Sequence, residues 1–269
     1  TLGRIRSKRQ FVWLKRKLTD SQAQSIRALD IEGLFLRKEH KRSYTNGPLA
    51  AHILGFVDID NNGLEGVESS CDDLLKGTSG YAFFVRDAHQ SPLRLENSDK
   101  LPVDGYDVVL TIDLAIQYIA ENALDAAFVQ HKAKGASVVV VDVSSGEILA
   151  LANRPTFDPN KPQAFSEGMR RNRAVCDFFE PGSVFKVVTA AAALQENKFQ
   201  ESDRIFCENG AYKVASHLLH DHRPHGWLTF AEVIQNSSNI GVNKIAQKLG
   251  LETVYNYAKL FGFGSLTDI

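Results

Sequence analysis

Apolar residues recur at helical spacing in four parts of the chain. Residues 113–128 carry them three or four positions apart behind a capping Asp113, which predicts a helix. Residues 181–194 form an alanine-rich apolar stretch that predicts a second helix. Residues 229–232, Thr-Phe-Ala-Glu, match a capping box that opens a third helix, and residues 240–249, before a glycine, predict a fourth.

Apolar runs bounded by turn residues predict strands as well. Residues 138–143 and 148–152 flank a Ser-Ser-Gly turn and predict a β-hairpin. Residues 42–110 combine short apolar runs with Gly, Asp and Asn turns, so this region is predicted to be rich in strands and loops. Residues 11–40 look helical but irregular. A hairpin among several helices predicts an α+β fold, in which helices pack on an antiparallel sheet.

The 269-residue chain has an ordinary globular composition, with 43% hydrophobic and 23% charged residues. This composition excludes a disordered, collagen-like or coiled-coil protein. Residues 1–50 contain 12 Lys and Arg against 4 Asp and Glu, a net +8, whereas the remainder is net −9. The basic segment is either a solvated face, the simpler interpretation, or a contact for a membrane surface or nucleic acid.

Membrane and secretion signals are missing from the sequence. No apolar stretch reaches the 18 residues that a membrane span requires, and residues 1–30 lack the pattern of a signal peptide. Because the chain begins at Thr1 rather than Met, we expect an anchor or leader to have been removed ahead of it. Its cysteines, Cys71, Cys176 and Cys207, are scattered and odd in number, which argues against a disulfide framework.

Ser183 and Lys186 form a Ser-x-x-Lys pair on the second predicted helix. Residues three apart share a helix face, so the lysine lies one turn beyond the serine. A lysine among apolar neighbours has a lowered pKa and can take the serine proton, and the helix N-terminus favours negative charge on the serine oxygen. About one such match is expected by chance in this chain, and a capping serine with a surface lysine is the structural alternative.

Ser237 and Asn239 form a Ser-x-Asn pair 54 residues after Ser183, between two predicted helices. A short turn at this place can aim a hydroxyl and an amide into a cleft. In this interpretation Ser237 relays a proton to a leaving amine, and Asn239 holds a substrate amide or positions Lys186. The structural alternative is helix capping by the same two side chains.

A cluster of side chains that can bind metal follows Cys207. It consists of His217, His220, Asp221, His222 and His225. The spacing of these residues matches no closed zinc site, and no helical frame places them on one face. We therefore predict a polar loop with no metal.

The candidate residues lie among further short motifs that run in order along the chain. These motifs are residues 42–44 (Arg-Ser-Tyr), 47–57, 63–68 (Gly-Leu-Glu-Gly-Val-Glu), 86–88 (Arg-Asp-Ala), 111–113 (Thr-Ile-Asp) with Gln117, 140–143 (Val-Val-Asp-Val), 146–150 (Gly-Glu-Ile-Leu-Ala), 181–186 (Pro-Gly-Ser-Val-Phe-Lys) and 237–241 (Ser-Ser-Asn-Ile-Gly). Together they resemble a class B penicillin-binding protein, the peptidoglycan transpeptidase kind. The pair His220-Asp221 and residues 225–229 are similar to the division and sporulation branch of that family.

The resemblance implies a mechanism. Ser183 would attack the carbonyl between two terminal D-alanines of a stem peptide and hold an acyl-enzyme, which an amine of a neighbouring stem peptide resolves into a cross-link. Lys186 would be the base for acylation. Ser237 and Asn239 would complete the proton relay and hold the substrate. No cofactor is implied.

The resemblance also implies domains, partners and a location. It assigns residues 1–108 to an N-terminal pedestal or dimerisation domain and residues 109–269 to a transpeptidase domain. We expect stem peptides and lipid-linked precursor strands as substrates, β-lactams as acylating ligands, and membrane-embedded division or wall-synthesis proteins as partners, with no nucleic acid. A single-pass anchor ahead of this chain would hold both domains in the periplasm at the inner membrane.

One family motif is missing from the sequence. No Lys-[Ser/Thr]-Gly occurs, and Lys76-Gly77-Thr78 is a scrambled near match. Residues 261–269 resemble a stretch ahead of that motif, so sheet strands and half of the oxyanion hole are expected beyond this chain. Because losing an oxyanion donor costs about 10²–10³ in rate, we expect the chain alone not to be competent. We also expect the apolar helix around residues 190–193 to be exposed.

Two other classes of function compete with the transpeptidase. A non-catalytic scaffold would keep the pedestal for division partners, but it has no need of the four candidate side chains, Ser183, Lys186, Ser237 and Asn239. A D,D-carboxypeptidase or β-lactamase-like hydrolase would share the serine chemistry, but it needs no long pedestal.

Overall fold

The predicted helices and hairpins form in a computed structural model, which describes residues 11–81, 84–86, 92–94 and 100–267. Contacts group the chain into two compact units, Thr1–Asp177 and Phe178–Ile269. The strands described in both units pair as two-stranded antiparallel hairpins. None of the helices among the described residues is long and apolar enough to cross a membrane.

The first unit contains short elements followed by one long helix and one long hairpin. Its helices are α1 (Asp20–Arg27), α2 (Ala51–Leu54), α3 (Gly66–Ser70), α4 (Asp72–Leu75), α5 (Leu114–Gln130), α6 (Glu167–Arg170) and α7 (Arg173–Cys176). Its strands are β1 (Phe56–Val57), β2 (Gly63–Glu65), β3 (Phe84–Arg86), β4 (Pro92–Arg94), β5 (Ala136–Val141) and β6 (Ile148–Arg154). Within residues 11–40, which look helical in sequence, α1 is the helix that forms.

The helix predicted after Asp113 is confirmed as α5. The Asp113 side chain accepts a hydrogen bond from the N–H of Ile116 at 2.9 Å and so caps the helix. The predicted hairpin is confirmed as β5 and β6, which pair from Ala136 opposite Arg154 to Val141 opposite Ile148, with a bulge between Val140 and Val141. Helix α5 packs on this hairpin.

The buried face of α5 is polar, which its apolar spacing did not predict. Gln117 is fully buried, and its amide nitrogen donates to Glu121 Oε1 at 2.9 Å. Arg154, 5% exposed, donates to Glu121 Oε2 at 3.3 Å and to Asp125 Oδ2 at 2.7 Å. These carboxylates hold the pKa of Arg154 above its usual range. The network stabilises the helix against β6, while Ile119 is 66% exposed.

The pedestal motifs form a tight backbone crossing. A Cβ on Gly55 would lie 1.7 Å from the carbonyl oxygen of Glu65, and one on Gly63 would lie 1.8 Å from that of Glu68. Glu68 is itself buried and pairs with Arg42 at 2.5 Å. The region predicted to be rich in strands and loops therefore holds three short helices, α2 to α4, beside its short strands. Asp87 and Ala88 lie outside the described residues.

The second unit is built of helices around small hairpins. Its helices are α8 (Lys186–Gln195), α9 (Phe230–Gln235), α10 (Asn239–Leu249) and α11 (Leu251–Leu260). Its strands are β7 (Arg204–Phe206), β8 (Ala211–Val214), β9 (His217–His220) and β10 (Trp227–Thr229), with β7 paired to β10 and β8 to β9. The predicted capping box is confirmed, because Thr229 and Glu232 bond to each other's backbone N–H. Gly250, with φ 86°, ends α10 as predicted.

Two predictions for the second unit are wrong. The segment predicted as a polar loop begins as strand β9, because His217–His220 pairs along its length with β8. The helix around residues 190–193 is not an exposed element, since Ala192 and Ala193 are fully buried. They belong to a core of Ala192, Ala193, Ile205, Cys207, Phe230, Val233, Ile240, Ile245 and Leu249. The exposed positions on and near α8 are instead Val184 and Val187.

Candidate active site

Ser183 lies on an exposed turn immediately before α8. Gly182 has φ 58°, a conformation that glycine adopts without strain, and residues Gly182–Phe185 form a 3₁₀ turn rather than the α-helical turn expected. Side chains three apart are eclipsed in a 3₁₀ helix, so Ser183 and Lys186 share one face. Among the described residues, none forms a hydrogen bond with the Ser183 hydroxyl, which leaves it open to a substrate.

Lys186 joins the two predicted motifs. Its Nζ donates to the carbonyl oxygen of Ser237 at 2.5 Å and to Ser237 Oγ at 2.9 Å, across 51 residues of sequence. Both acceptors are neutral, and the side chain is half-buried. Burial lowers the pKa of Lys186, and the negative charge of Asp221 opposes this lowering. The amine is thereby moved toward the neutral form that can accept a proton.

The second motif is the turn between α9 and α10. Ser237 has φ 53°, in the left-handed region, where a non-glycine residue is strained. Ser238 is buried and caps α10, accepting the N–H of Gly241 at 2.9 Å. Asn239 is exposed, and its amide donates to the carbonyl oxygen of His220 at 2.8 Å. The structure thus brings Lys186 and Ser237 together, but it directs the Asn239 amide to strand β9 rather than to Lys186.

Gly241 allows α10 to approach α9 closely. A Cβ at this position would lie 2.6 Å from Cγ1 of Val233, which is fully buried, and 3.2 Å from Ser238 Oγ. The last residue of the second motif is therefore required for packing. It brings the helix that begins at Asn239 against the body of the unit.

Asp221 is a residue of the site that the sequence reasoning missed. Its Oδ2 accepts the Ser238 hydroxyl at 2.6 Å, and its Oδ1 accepts the N–H of Ile240 at 3.0 Å. In the sequence Asp221 was weighed as a metal ligand and as part of a branch motif. The available signal was its proximity to those motifs, but sequence alone did not show which motif it contacts.

The His-rich segment does not assemble into a metal site within the described part of the chain, where no three His, Cys, Asp or Glu side chains converge. Cys207 is buried, with its Sγ 3.5 Å from Ser238 Oγ, and burial raises the pKa of this thiol. A polar cavity of about 240 Å³ lies beside the second motif. Its lining is Asp221, His222, Arg223, His225 and Asn236.

Two family profiles match most of the chain. Residues 136–269 match the penicillin binding protein transpeptidase domain, and residues 4–110 match the penicillin-binding protein dimerisation domain. The chain belongs to the class B penicillin-binding proteins. The family and the α+β fold predicted from the sequence are therefore confirmed.

Individual class B penicillin-binding proteins are similar over nearly all of this chain. The probable peptidoglycan D,D-transpeptidase PenA of Neisseria meningitidis is 38% identical over 95% of this chain and 44% of its own length. Stage V sporulation protein D of Bacillus subtilis is 38% identical over 94% of this chain and 40% of its own length. Penicillin binding protein 3 of Mycobacterium tuberculosis, in a crystal structure complexed with aztreonam, has a TM-score of 0.72 and 34% identity over 83% of this chain and 47% of that one. The chain spans less than half the length of these relatives.

Proposed function

We propose that this chain carries the acylation site of a peptidoglycan D,D-transpeptidase. The observation that carries the proposal is the contact of Lys186 Nζ with Ser237 Oγ at 2.9 Å, beside an exposed Ser183 on the same turn as the lysine. Two motifs that are each expected by chance once in the sequence meet at hydrogen-bond distance. A capping serine and a surface lysine would have no reason to meet the second motif.

The proposed first step is acylation of Ser183. Its Oγ forms a bond to the carbonyl carbon between two terminal D-alanines while its proton passes to neutral Lys186. The C–N bond then breaks, and the proton returns through the Ser237 hydroxyl to the leaving amine of D-alanine. The peptide is left as an ester on Ser183.

The proposed second step resolves the ester with an amine. The amine nitrogen of a neighbouring stem peptide bonds to the carbonyl carbon, the C–O bond to Ser183 breaks, and the amine's proton returns to the serine oxygen. A β-lactam would stop after the first step, because its acyl group remains attached to the serine. The aztreonam complex of the M. tuberculosis relative supports a β-lactam as a ligand of this site.

Organisation and location are part of the same proposal. We assign residues 1–108 to a pedestal or dimerisation domain and residues 109–269 to the transpeptidase domain, which is supported by the family matches at 4–110 and 136–269. The names of the PenA and sporulation relatives support a role in wall synthesis at division or sporulation. Lipid-linked precursor strands as substrates, membrane-embedded wall-synthesis partners and a membrane-anchored location outside the cytoplasm complete the proposal.

Labelling with a fluorescent penicillin tests the nucleophile. The protein that carries this chain should be labelled, and Ser183→Ala should abolish labelling, whereas the exposed Ser202→Ala should label like the parent. Persisting label in Ser183→Ala would overturn the assignment. Incubation with a stem peptide and an amine acceptor then tests the reaction: cross-linked product supports a transpeptidase, and hydrolysis alone indicates a carboxypeptidase.

A further inference from the structure

The carboxylate of Asp221 holds two points on either side of the second motif. One oxygen accepts the Ser238 hydroxyl at 2.6 Å, and the other accepts the N–H of Ile240 at 3.0 Å. Ser238 is 1% exposed and Ile240 is fully buried, so both points are fixed in the interior. Asn239 lies between them, and Ser237 precedes them. A shift of Asp221 would therefore move both residues of the Ser-x-Asn pair.

The carboxylate is also well placed for the first turn of α10. The Ile240 N–H is one of the donors that a helix leaves unpaired at its N-terminus, and a negative charge is stabilised there. The Ser238 hydroxyl, which donates to Asp221, accepts the N–H of Gly241 at 2.9 Å. The neighbouring carbonyl oxygen of His220 accepts the Asn239 amide. The segment after β9 thus holds the helix end through backbone and side chain together.

Asp221 also acts on Lys186. The groups that Lys186 bonds on the α9–α10 turn are the neutral oxygens of Ser237, and Ser183 on its own turn is neutral as well. The charged group that acts on the amine, among the residues the structure describes, comes from the segment after β9 and is Asp221. Its charge favours the protonated amine and opposes the effect of burial.

We infer that Asp221 is a positioning residue of the acylation site: its carboxylate fixes the turn that carries Ser237 and Asn239 and supplies the negative charge that acts on Lys186. This inference rests on the proposed function for its catalytic meaning. A purely structural helix cap would fix the turn without any effect of its charge on the lysine. The two roles are separable by experiment.

The charge role is tested by titrating Lys186 directly. With ¹³C-labelled lysine, the Lys186 Cε resonance is followed against pH by NMR, in the Ser183→Ala background. Asp221→Asn should move the midpoint to lower pH, because the charge that favours the ammonium form is gone. Glu208→Gln removes the same charge from a carboxylate that contacts Lys244 at 2.6 Å, and it should leave the midpoint unchanged.

Two further variants keep this test decisive. Asp221→Ser removes the charge with a smaller polar group and replaces Asp221→Asn if the latter fails to fold. Ser238→Ala removes the contact but keeps the charge, so its midpoint should stay at the parent value. An unchanged Lys186 midpoint in either folded Asp221 variant overturns the inference.

The positioning role is tested by acylation. The second-order rate of labelling by a fluorescent penicillin should fall about tenfold or more in both Asp221→Asn and Ser238→Ala, the size expected for losing a hydrogen bond to a charged group. The pH–rate midpoint should shift to lower pH in Asp221→Asn alone. Parent rates in both variants would overturn the positioning role. If the parent protein itself shows no Ser183-dependent labelling, the proposed function fails, and the Lys186 titration still decides the charge role.

Discussion

The two compact units each hold a cation among buried side chains, and they treat it in opposite ways. In the first unit, Arg154 is 5% exposed and is paired with both Glu121 and Asp125. In the second, Lys186 contacts the neutral oxygens of Ser237, and among the described residues it forms no ion pair. The pKa of Arg154 is accordingly raised and that of Lys186 lowered.

The difference teaches what each unit uses its cation for. A buried charge with full ion pairing and hydrogen bonding stays charged and links elements, as Arg154 links α5 to β6. A buried amine without a counter-ion in contact is moved toward neutrality, which is the state a proton acceptor needs. Residue type alone does not distinguish these roles, but the neighbouring oxygens do.

The largest effect is expected from Lys186→Ala. A positioned general base contributes typically about 10²–10⁴ in rate, so labelling by a fluorescent penicillin should slow by about that factor. Lys198→Ala, an exposed lysine just after α8, is the matched control and should retain the parent rate. A parent rate in Lys186→Ala would remove the functional half of the comparison.

Next in size is Arg154→Met, which leaves the carboxylate of Glu121 buried without its partner. Breaking a buried ion pair from one side costs about 3–5 kcal/mol, so the free energy of unfolding should fall by that amount in urea titration. Arg171→Met breaks an exposed pair with Asp177 and should cost about 0–1 kcal/mol. Equal losses in the two variants would show that burial does not distinguish these pairs.

Gly241→Ala is expected to have an intermediate effect. The added Cβ would press on the buried Val233, and overpacking of this kind costs about 1–3 kcal/mol in the free energy of unfolding. Gly168→Ala is the control, because its Cβ would meet nothing within 4 Å. Thermal unfolding of both variants measures the effect, and an unperturbed Gly241→Ala would contradict the close approach of α9 and α10.

The smallest effect is a pH dependence of stability in the first unit. Burial lowers the pKa of His52, whose Nε2 donates to the carbonyl oxygen of Met169 at 2.9 Å. The unfolded chain therefore binds more protons than the folded chain between this lowered pKa and about 6.5, and stability falls as pH decreases through that window. His52→Gln should flatten this part of the stability–pH curve, whereas the exposed His131→Gln should retain it. A retained slope in His52→Gln would assign it to other groups.

Sequence reasoning predicted the elements whose causes are local. The cap at Asp113, the capping box at Thr229 and the end of α10 at Gly250 each depend on side chains within a few residues. The pair Ser183 and Lys186 was found because its two members are three apart. The contact of Lys186 with Ser237 was anticipated from the family resemblance rather than from spacing.

What sequence reasoning missed depends on contacts between distant residues. The polar buried face of α5 exists because Arg154, far along the chain, pairs with Glu121. The strand His217–His220 forms because it meets β8, and Asp221 gains its role because its neighbours there fold onto α10. Propensity and local pattern carry no information about such partners, so a histidine-rich segment was interpreted as a loop.

The left-handed backbone of Ser237 sets stability against activity at one position. A non-glycine residue in that conformation costs roughly 1–2 kcal/mol, and glycine would avoid the cost. Ser237→Gly is thus a change that selection for a more stable protein would favour and selection for acylation would reject, because the hydroxyl that contacts Lys186 would be lost. A thermostabilised form of this protein obtained without regard to labelling is expected to lose its second motif at this residue first.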